Sequence, residues 1–532
     1  MTATPETTPE IGRTPAATRP PVRFVDTSLR DGNQSLWGAT GLTTGMVEAL
    51  GPDLAQIGLE GIDFTSSTNL LMGSKTHRED PWERISRMHA VAGGVPLSAI
   101  TTGMRFMSWD RASETVMRLS MRLMARHGLG RLQIADPLND VAANKTIASW
   151  AKDEGIGYIV AATTFTESPV HTDDAYAQAA RAYAEDPNID AIYLKDPGGL
   201  LTYDRIGHLI PVLRDAVGDK TLELHSHCTT GEAPQVYMRA AQLGVDVLHT
   251  GIGALGNGTA QPEMLSVLDN LDALGIPYRA DRAAVERAAA TIRRISEEND
   301  LPAGQTMPFD LAPHAHQVPG GMMGTLKRQL RELRIEDDLP AVIAETGRVR
   351  AELGYPIMVT PFSQFVGSQA LMNVLAAKSG RERYSNIPDE VVRFVLGHYG
   401  EPVGEISASV RERVDALPRA RELSMDPVHD QPLEDLRAEQ EARLGRTVED
   451  EELLLRLVMA PDVLEAVLAA GPAPAWNGSS VSGTGTTPGP VNNLGDAIRA
   501  VNALPNWRSL QIRRGHQNIR LTRRDNAGSG DS

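Results

Sequence analysis

Residues 131–166, "RLQIADPLNDVAANKTIASWAKDEGIGYIVAATTFT", decide the fold. A short β-prone run, "RLQIADP", gives way to "DVAANKTIASWAKDEG", which opens on a cap candidate, Asp140, and closes on Gly155. A second β-prone run, "GYIVAATTFT", follows. Strand, amphipathic capped helix and strand make a βαβ unit, whose two strands run parallel in one sheet. The same alternation extends outward from residue 22 to about residue 275. Its other β-prone runs are "VRFVDTSL", "GIDFTSS", "PLSAITTG", "AIYLKDP", "LELHSHC" and "VLHTGIG". Eight strand–helix repeats in this length predict a (β/α)8 TIM barrel over residues 22–280. A doubly wound open sheet is the competitor, and the even spacing of eight units favours closure.

Beyond the barrel the strand signal fades. Residues 281–472 read as a mostly helical C-terminal domain, with capped stretches such as "DEVVRFVLGHYG" and "VEDEELLLRLVMAPDVLEAVLAAG". Residues 473–532 read as a Gly/Ser/Thr/Pro-rich linker and a partly basic tail, taken as a solvated arm rather than a docking element. The Thr/Pro/Ala-rich residues 1–21 are expected to be a disordered tail. The chain has 532 residues, 41% of them hydrophobic, enough for a large core and more than one domain. A net charge of −16 repels phosphates and anionic lipid, so neither nucleic acid nor membrane surface is an expected partner. No apolar run approaches a membrane span. With a single cysteine, Cys228, and no apolar secretory segment at the N-terminus, a cytoplasmic location is expected.

Barrels of this kind place their chemistry at the C-terminal ends of the strands. Those ends carry Arg30-Asp31 on strand one, Lys195-Asp196 on strand six, and His225 and His227 on strand seven. Residues two apart on a strand share a face, so both imidazoles are expected to face the barrel mouth. They suit zinc, cobalt or manganese, and Asp31 adds a carboxylate. The alternative is a hydrogen-bonded pair of rim histidines. Cys228 is expected on the opposite face, as packing. Three roles are open to Lys195: a Schiff-base nucleophile, a salt-bridge partner of Asp196 or another carboxylate, or a lysine carbamate acting as an oxygen ligand.

At these residues the chain resembles the carboxyltransferase domain of pyruvate carboxylase and its relatives in oxaloacetate decarboxylase and transcarboxylase. The matching stretches are "DTSLRDGNQS", "EDPWER", "LKDPGGLLT", "HSH", "TAQPEM", "HQVPGG", "TPFSQFVG" and "PLEDLRAEQEARLGRTVEDEELL", in the family's order. A strand like "SLRDG" also occurs in aldolase and synthase barrels; the collinear set is specific. The resemblance implies a divalent metal (Zn, Mn or Co) on Asp31, Lys195, His225 and His227, with CO2 held on Lys195 as a carbamate. It implies CO2 transfer between carboxybiotin and an enolisable carbonyl substrate. Arg30 would stabilise the enolate, Thr360 would move the proton, Gln34 would contact substrate, and Ser363 and Gln364 would lie at the biotin pocket. Biotin would arrive on a separate carrier protein, because no Met-Lys-Met biotinylation site and no Gly-rich ATP-binding region are found. Biotin carboxylase and biotin carboxyl carrier subunits are the implied partners, and a homo-oligomer the implied assembly.

The departures bear on the substrate. The family's arginine clamp for the pyruvate carboxylate falls at Thr102 in "ITTGMRF", with Arg105 nearby in a different register. "TSSTNLL" (65–71), Cys228 and Gln364 also depart from the family pattern. Threonine does not replace a bidentate guanidinium, so a substrate other than pyruvate is expected. A metal-dependent aldol lyase or Claisen-type synthase, and a non-catalytic scaffold subunit, are the alternatives.

Overall fold

The computed structural model describes residues 20–318, 320–424, 430–476, 509–514 and 517–522. Residues 1–19 of the expected N-terminal tail and residues 477–508 of the expected linker lie outside them. Eight strands form the barrel: β1 (Arg23–Asp26), β2 (Gly61–Thr65), β3 (Leu97–Thr101), β4 (Leu129–Ile134), β5 (Tyr158–Thr164), β6 (Ala191–Asp196), β7 (Thr221–Ser226) and β8 (Val247–Thr250). They pair in chain order, and β1 closes on β8 in parallel register. The closed barrel expected from the eight repeats is the observed one.

The period of two explains the layers. Along β7, Leu222 and Leu224 join the core beneath the surrounding helices. Glu223 and His225 alternate with them and reach lumen partners on β4 and β8. The register sets Lys195 of β6 beside His225 of β7. The loops start helices as the caps suggest: the Asp140 carboxylate accepts from the Ala143 amide at 3.0 Å.

The helical segment after the barrel serves two cores. The Arg282–Glu298 helix and the helices Asp450–Val458 and Pro461–Ala470 bury Val285, Ile292, Leu453, Leu454 and Leu464 in the barrel core. Helices between residues 326 and 420 close around their own cluster, in which Phe362, Phe365, Phe394 and Tyr399 pack ring to ring. Residues up to Trp476 form one compact unit. In the tail, β9 (Ser509–Arg514) and β10 (Gln517–Thr522) pair as an antiparallel hairpin where the sequence suggested an arm. Among the described residues no helix is long and apolar enough to cross a membrane.

Candidate active site

The first strand stops earlier than the sequence suggests. β1 ends at Asp26, and Arg30 and Asp31 lie in a π-helical turn, Ser28–Gly32. Asp26 starts the turn by accepting from the Ser28 amide (3.1 Å) and hydroxyl (2.6 Å). The Gly32 amide closes it on the Thr27 carbonyl at 2.9 Å. Glycine is required there, because a Cβ on Gly32 would stand 2.6 Å from the Leu255 carbonyl oxygen. Such turns recur at functional sites, and this one delivers a buried arginine and a buried aspartate to the barrel mouth.

Arg30 lies between two carboxylates. Its Nε donates to Asp63 Oδ2 at 2.8 Å, its Nη2 donates to the same oxygen, and its Nη1 lies 3.1 Å from Asp31 Oδ1. Burial opposes the guanidinium charge, but Asp31 and Asp63 outweigh it and raise the Arg30 pKa. The other Asp31 oxygen, Oδ2, lies 3.0 Å from His225 Nε2 and 3.2 Å from His227 Nε2. It also accepts from the Gln261 amide at 2.9 Å. Burial would raise the Asp31 pKa; the Arg30 charge leads the interactions that hold it well below the usual carboxylate range.

The donor set fits a cation. His227 Nδ1 lies 2.6 Å from the Thr259 carbonyl oxygen and donates to it, which leaves Nε2 bare in a neutral ring. Burial holds the His225 pKa well below its ordinary value. The two Nε2 atoms are 3.3 Å apart, so a carboxylate oxygen and two imidazole nitrogens converge, with the His227 ring N–H turned outward onto the Thr259 carbonyl. A metal-bound histidine has that arrangement, and one carboxylate with two imidazoles is a common set for a divalent transition metal. Asp31, His225 and His227 form a candidate metal site. Lys195 is buried beside it, its Nζ 6.0 Å from the centre of the Tyr193 ring. Its amine has no ion pair or hydrogen bond among the described residues, and Asp196 instead accepts from Leu200, Leu201 and Ser226. Burial first, then the Arg30 charge, push the Lys195 pKa down to about 8.

A cavity of about 600 Å³ opens above this cluster. Arg30, Asp31, Gln34, Thr102, Lys195 and His227 line it from the barrel. Thr360, Ser363 and Gln364 line it from the start of the Phe362–Lys378 helix and the residues before it. His225 lies deeper, fully buried. Arg105 does not line the cavity. The Arg105 carbonyl accepts from the Thr101 hydroxyl and the Thr102 amide, and its guanidinium lies over the Tyr399 ring at 4.4 Å. Cys228 packs in the barrel core, where burial pushes its thiol up to about 12.

The part that several residues play in the site is not readable from the sequence. Asp63 holds Arg30; its only signal is an acid in the apolar run "GIDFT". Gln261 donates to Asp31 from within "TAQPEM". Ser66, Ser67 and Thr68 line the cavity at the start of the Ser67–His77 helix, where Ser66 Oγ accepts from the Asn69 amide at 3.3 Å. Gln34 reaches the same place, 3.3 Å from Ser66 Oγ.

A closed parallel barrel with acidic, imidazole and cationic side chains gathered at its strand ends defines a (β/α)8 barrel with a candidate metal site. Comparison with known proteins narrows this. The family described as "Conserved carboxylase domain" matches residues 314–486. A pyruvate carboxylase subunit of Methanocaldococcus jannaschii is 30% identical over 460 residues, 85% of this chain and 79% of the relative. The 2-oxoglutarate carboxylase large subunit of Hydrogenobacter thermophilus is 28% identical over 445 residues, 82% of this chain and 67% of the relative. The carboxyl transferase domain from Rhizobium etli pyruvate carboxylase shares the fold, with a TM-score of 0.76 at 24% identity over 85% of this chain and 78% of that one. The chain belongs to the carboxyltransferase family of biotin-dependent carboxylases.

Proposed function

We propose that this chain moves CO2 between N1 of a carboxybiotin carried by a separate polypeptide and the enolisable carbon of a carbonyl substrate other than pyruvate. The observation that carries this reading is the convergence of Asp31, His227, Lys195, Arg30 and Thr360 on one cavity. Asp31, His225 and His227 would hold a divalent metal, with Lys195 as its carbamate. A metal held there would act as a Lewis acid toward the substrate carbonyl.

The chain's own groups account for the rest. Arg30 keeps its charge at the cavity wall through two carboxylates, where it can stabilise the oxyanion of the enolate. The Thr360 hydroxyl can both donate and accept, so it can pass a proton between the substrate carbon and biotin N1. In the carboxylation direction the biotin N1–CO2 bond breaks, the substrate proton goes to N1 through Thr360, and the enolate carbon forms the new C–C bond with CO2. Ser363 and Gln364, which line the cavity from the helical side, are the residues we assign to biotin.

The substrate reading rests on charge. The cavity wall carries two non-histidine cations, Arg30 and Lys195. The first is already shared by Asp31 and Asp63, and carbamylation would remove the charge of the second. Thr102, Ser66, Ser67 and Thr68 offer hydroxyls and helix N-terminal amides in place of a guanidinium clamp. A biotin carboxylase and a biotin carboxyl carrier are the proposed partners, in a cytoplasmic homo-oligomer. With that system reconstituted, pyruvate and oxaloacetate should turn over poorly relative to a bulkier, less charged carbonyl substrate such as the ester of a 2-oxo acid. Efficient turnover of pyruvate or oxaloacetate would refute the substrate assignment. Lys195→Ala should lose the metal and transfer together; a fully loaded variant would remove Lys195 from the ligand set.

A further inference from the structure

The barrel lumen below the site holds a buried chain of charged and polar groups that the proposed reaction does not use. Arg131 Nη2 donates to both Glu223 oxygens, at 2.8 and 2.6 Å. Glu223 Oε2 lies 2.9 Å from His249 Nε2. His249 Nδ1 lies 3.2 Å from His225 Nδ1. Arg131, Glu223, His225 and His249 are all at most 2% exposed. Tyr193 stacks on His249 with ring centres 5.6 Å apart and planes 12° from parallel, so His249 cannot swing aside without losing that contact.

Proton positions follow in sequence along this chain. A carboxylate only accepts, so His249 Nε2 carries the hydrogen. Arg131 already balances the Glu223 charge, and a buried imidazolium beside a balanced pair would go uncompensated. In a neutral His249 ring Nδ1 is then the acceptor. His225 must then carry its hydrogen on Nδ1, which bares Nε2 toward Asp31. An independent contact agrees: the Gln261 amide nitrogen, a donor, lies 3.1 Å from His225 Nε2.

We infer that Arg131, Glu223 and His249 are positioning residues, a relay that locks His225 in the Nδ1–H tautomer and so keeps Nε2 ready to ligate a metal. The inference rests on the metal reading above. It assigns a purpose to a buried ion pair at the centre of the barrel, where an apolar pair would pack without desolvating two charges. Outer partners of a ligating histidine typically change metal affinity about 10–100-fold.

His249→Phe keeps the ring stacking and leaves the Arg131–Glu223 pair intact, but removes the acceptor. His249→Gln can accept from His225 and donate to Glu223. Co(II) dissociation constants should be measured on full-length protein by competition with a chelator, the folded fraction being checked by circular dichroism. His249→Phe should bind Co(II) about 10–100-fold more weakly, and His249→Gln should recover to within about threefold of wild type. Unchanged affinity in the phenylalanine variant, or a glutamine variant as weak as it, overturns the relay. Should His249→Phe not fold, the paired change Arg131→Met with Glu223→Gln removes the bias without stranding a charge. It should weaken Co(II) by a similar factor, and unchanged binding overturns the proposal.

Nitrogen-15 spectra of metal-free, ¹⁵N-histidine-labelled protein separate the relay from the metal reading, with His225→Gln identifying the signal. A wild type that takes up no Co(II) yet shows His225 as Nδ1–H overturns the metal centre and leaves the relay standing. A wild type that binds Co(II) with His225 as Nε2–H in the free protein overturns the relay alone.

Discussion

Of the seven lysines, Lys195 is the buried one, and its amine offers the sharpest test of the site. A carbamate forms from the neutral amine, so the neutral fraction sets how readily CO2 is taken up. At pH 7.5 an amine with a pKa of about 8 is roughly 24% neutral, against about 0.1% for an ordinary lysine. The cavity therefore offers about two hundred times more reactive amine. The free energy behind this is about 3 kcal/mol, the cost of charging Lys195 away from water and near Arg30. The sign in stability follows. Between pH 8 and 10.5 the unfolded chain binds a proton at this lysine and the folded chain does not, so stability from this group rises with pH across that window. Trace acetylation with acetic anhydride, followed by peptide mass spectrometry, reports the neutral amine directly. Its rate at Lys195 should rise with a midpoint near pH 8. Carbon-13 NMR of metal-free protein in ¹³C-bicarbonate should show a carbamate signal at pH 7.5 that Lys195→Arg abolishes. A midpoint in the ordinary lysine range, or no lysine-dependent carbamate signal, refutes the reasoning.

Thr360→Ala should lower CO2 transfer about 10²–10⁴-fold while leaving metal content unchanged; retained transfer would exclude the proton role. Asp63→Ala strands one side of the buried Arg30 guanidinium and should destabilise the fold by about 3–5 kcal/mol. Chemical denaturation checks this, and Asp63→Asn, which keeps an acceptor for Arg30, should be milder. Asp26 is pushed up to about 7, mainly by burial, so stability should fall as pH rises from 4 to 7. Asp26→Asn should flatten that slope, by up to about 4 kcal/mol across the window; an unchanged slope would place the titration elsewhere.

The barrel was legible because its signals are local. Asp140 caps its helix within three residues, and the alternation in "LELHS" sorts Leu222 and Leu224 from Glu223 and His225 without knowledge of any partner. The convergence of the candidate metal residues was legible for a related reason. Once eight parallel strands close, register brings Lys195 beside His225 and the turn after β1 to the same mouth, wherever the helices lie. The hidden features each depend on residues far away in sequence. The π-helical turn is shaped by the approach of Gly32 to the Leu255 carbonyl. Asp63 reads as an anomaly in an apolar strand until Arg30 is beside it. The amphipathic stretches after residue 281 announce that one face is buried, but not whether the barrel or the phenylalanine cluster around Phe362 buries it.

Arg105 shows where local reading meets its limit at the point that matters for specificity. Three residues from Thr102, it is the obvious stand-in for a lost carboxylate clamp. Its direction is decided by Tyr399, nearly three hundred positions along the chain, whose ring takes the guanidinium face at 4.4 Å. A guanidinium committed to that ring is not free to fork onto a substrate carboxylate. The long-range contact therefore strengthens the inference drawn from Thr102. The cation that could have rescued a pyruvate clamp is held on the helical segment's side of the loop, and under the proposed function the hydroxyls of Ser66, Ser67, Thr68 and Thr102 would select the substrate.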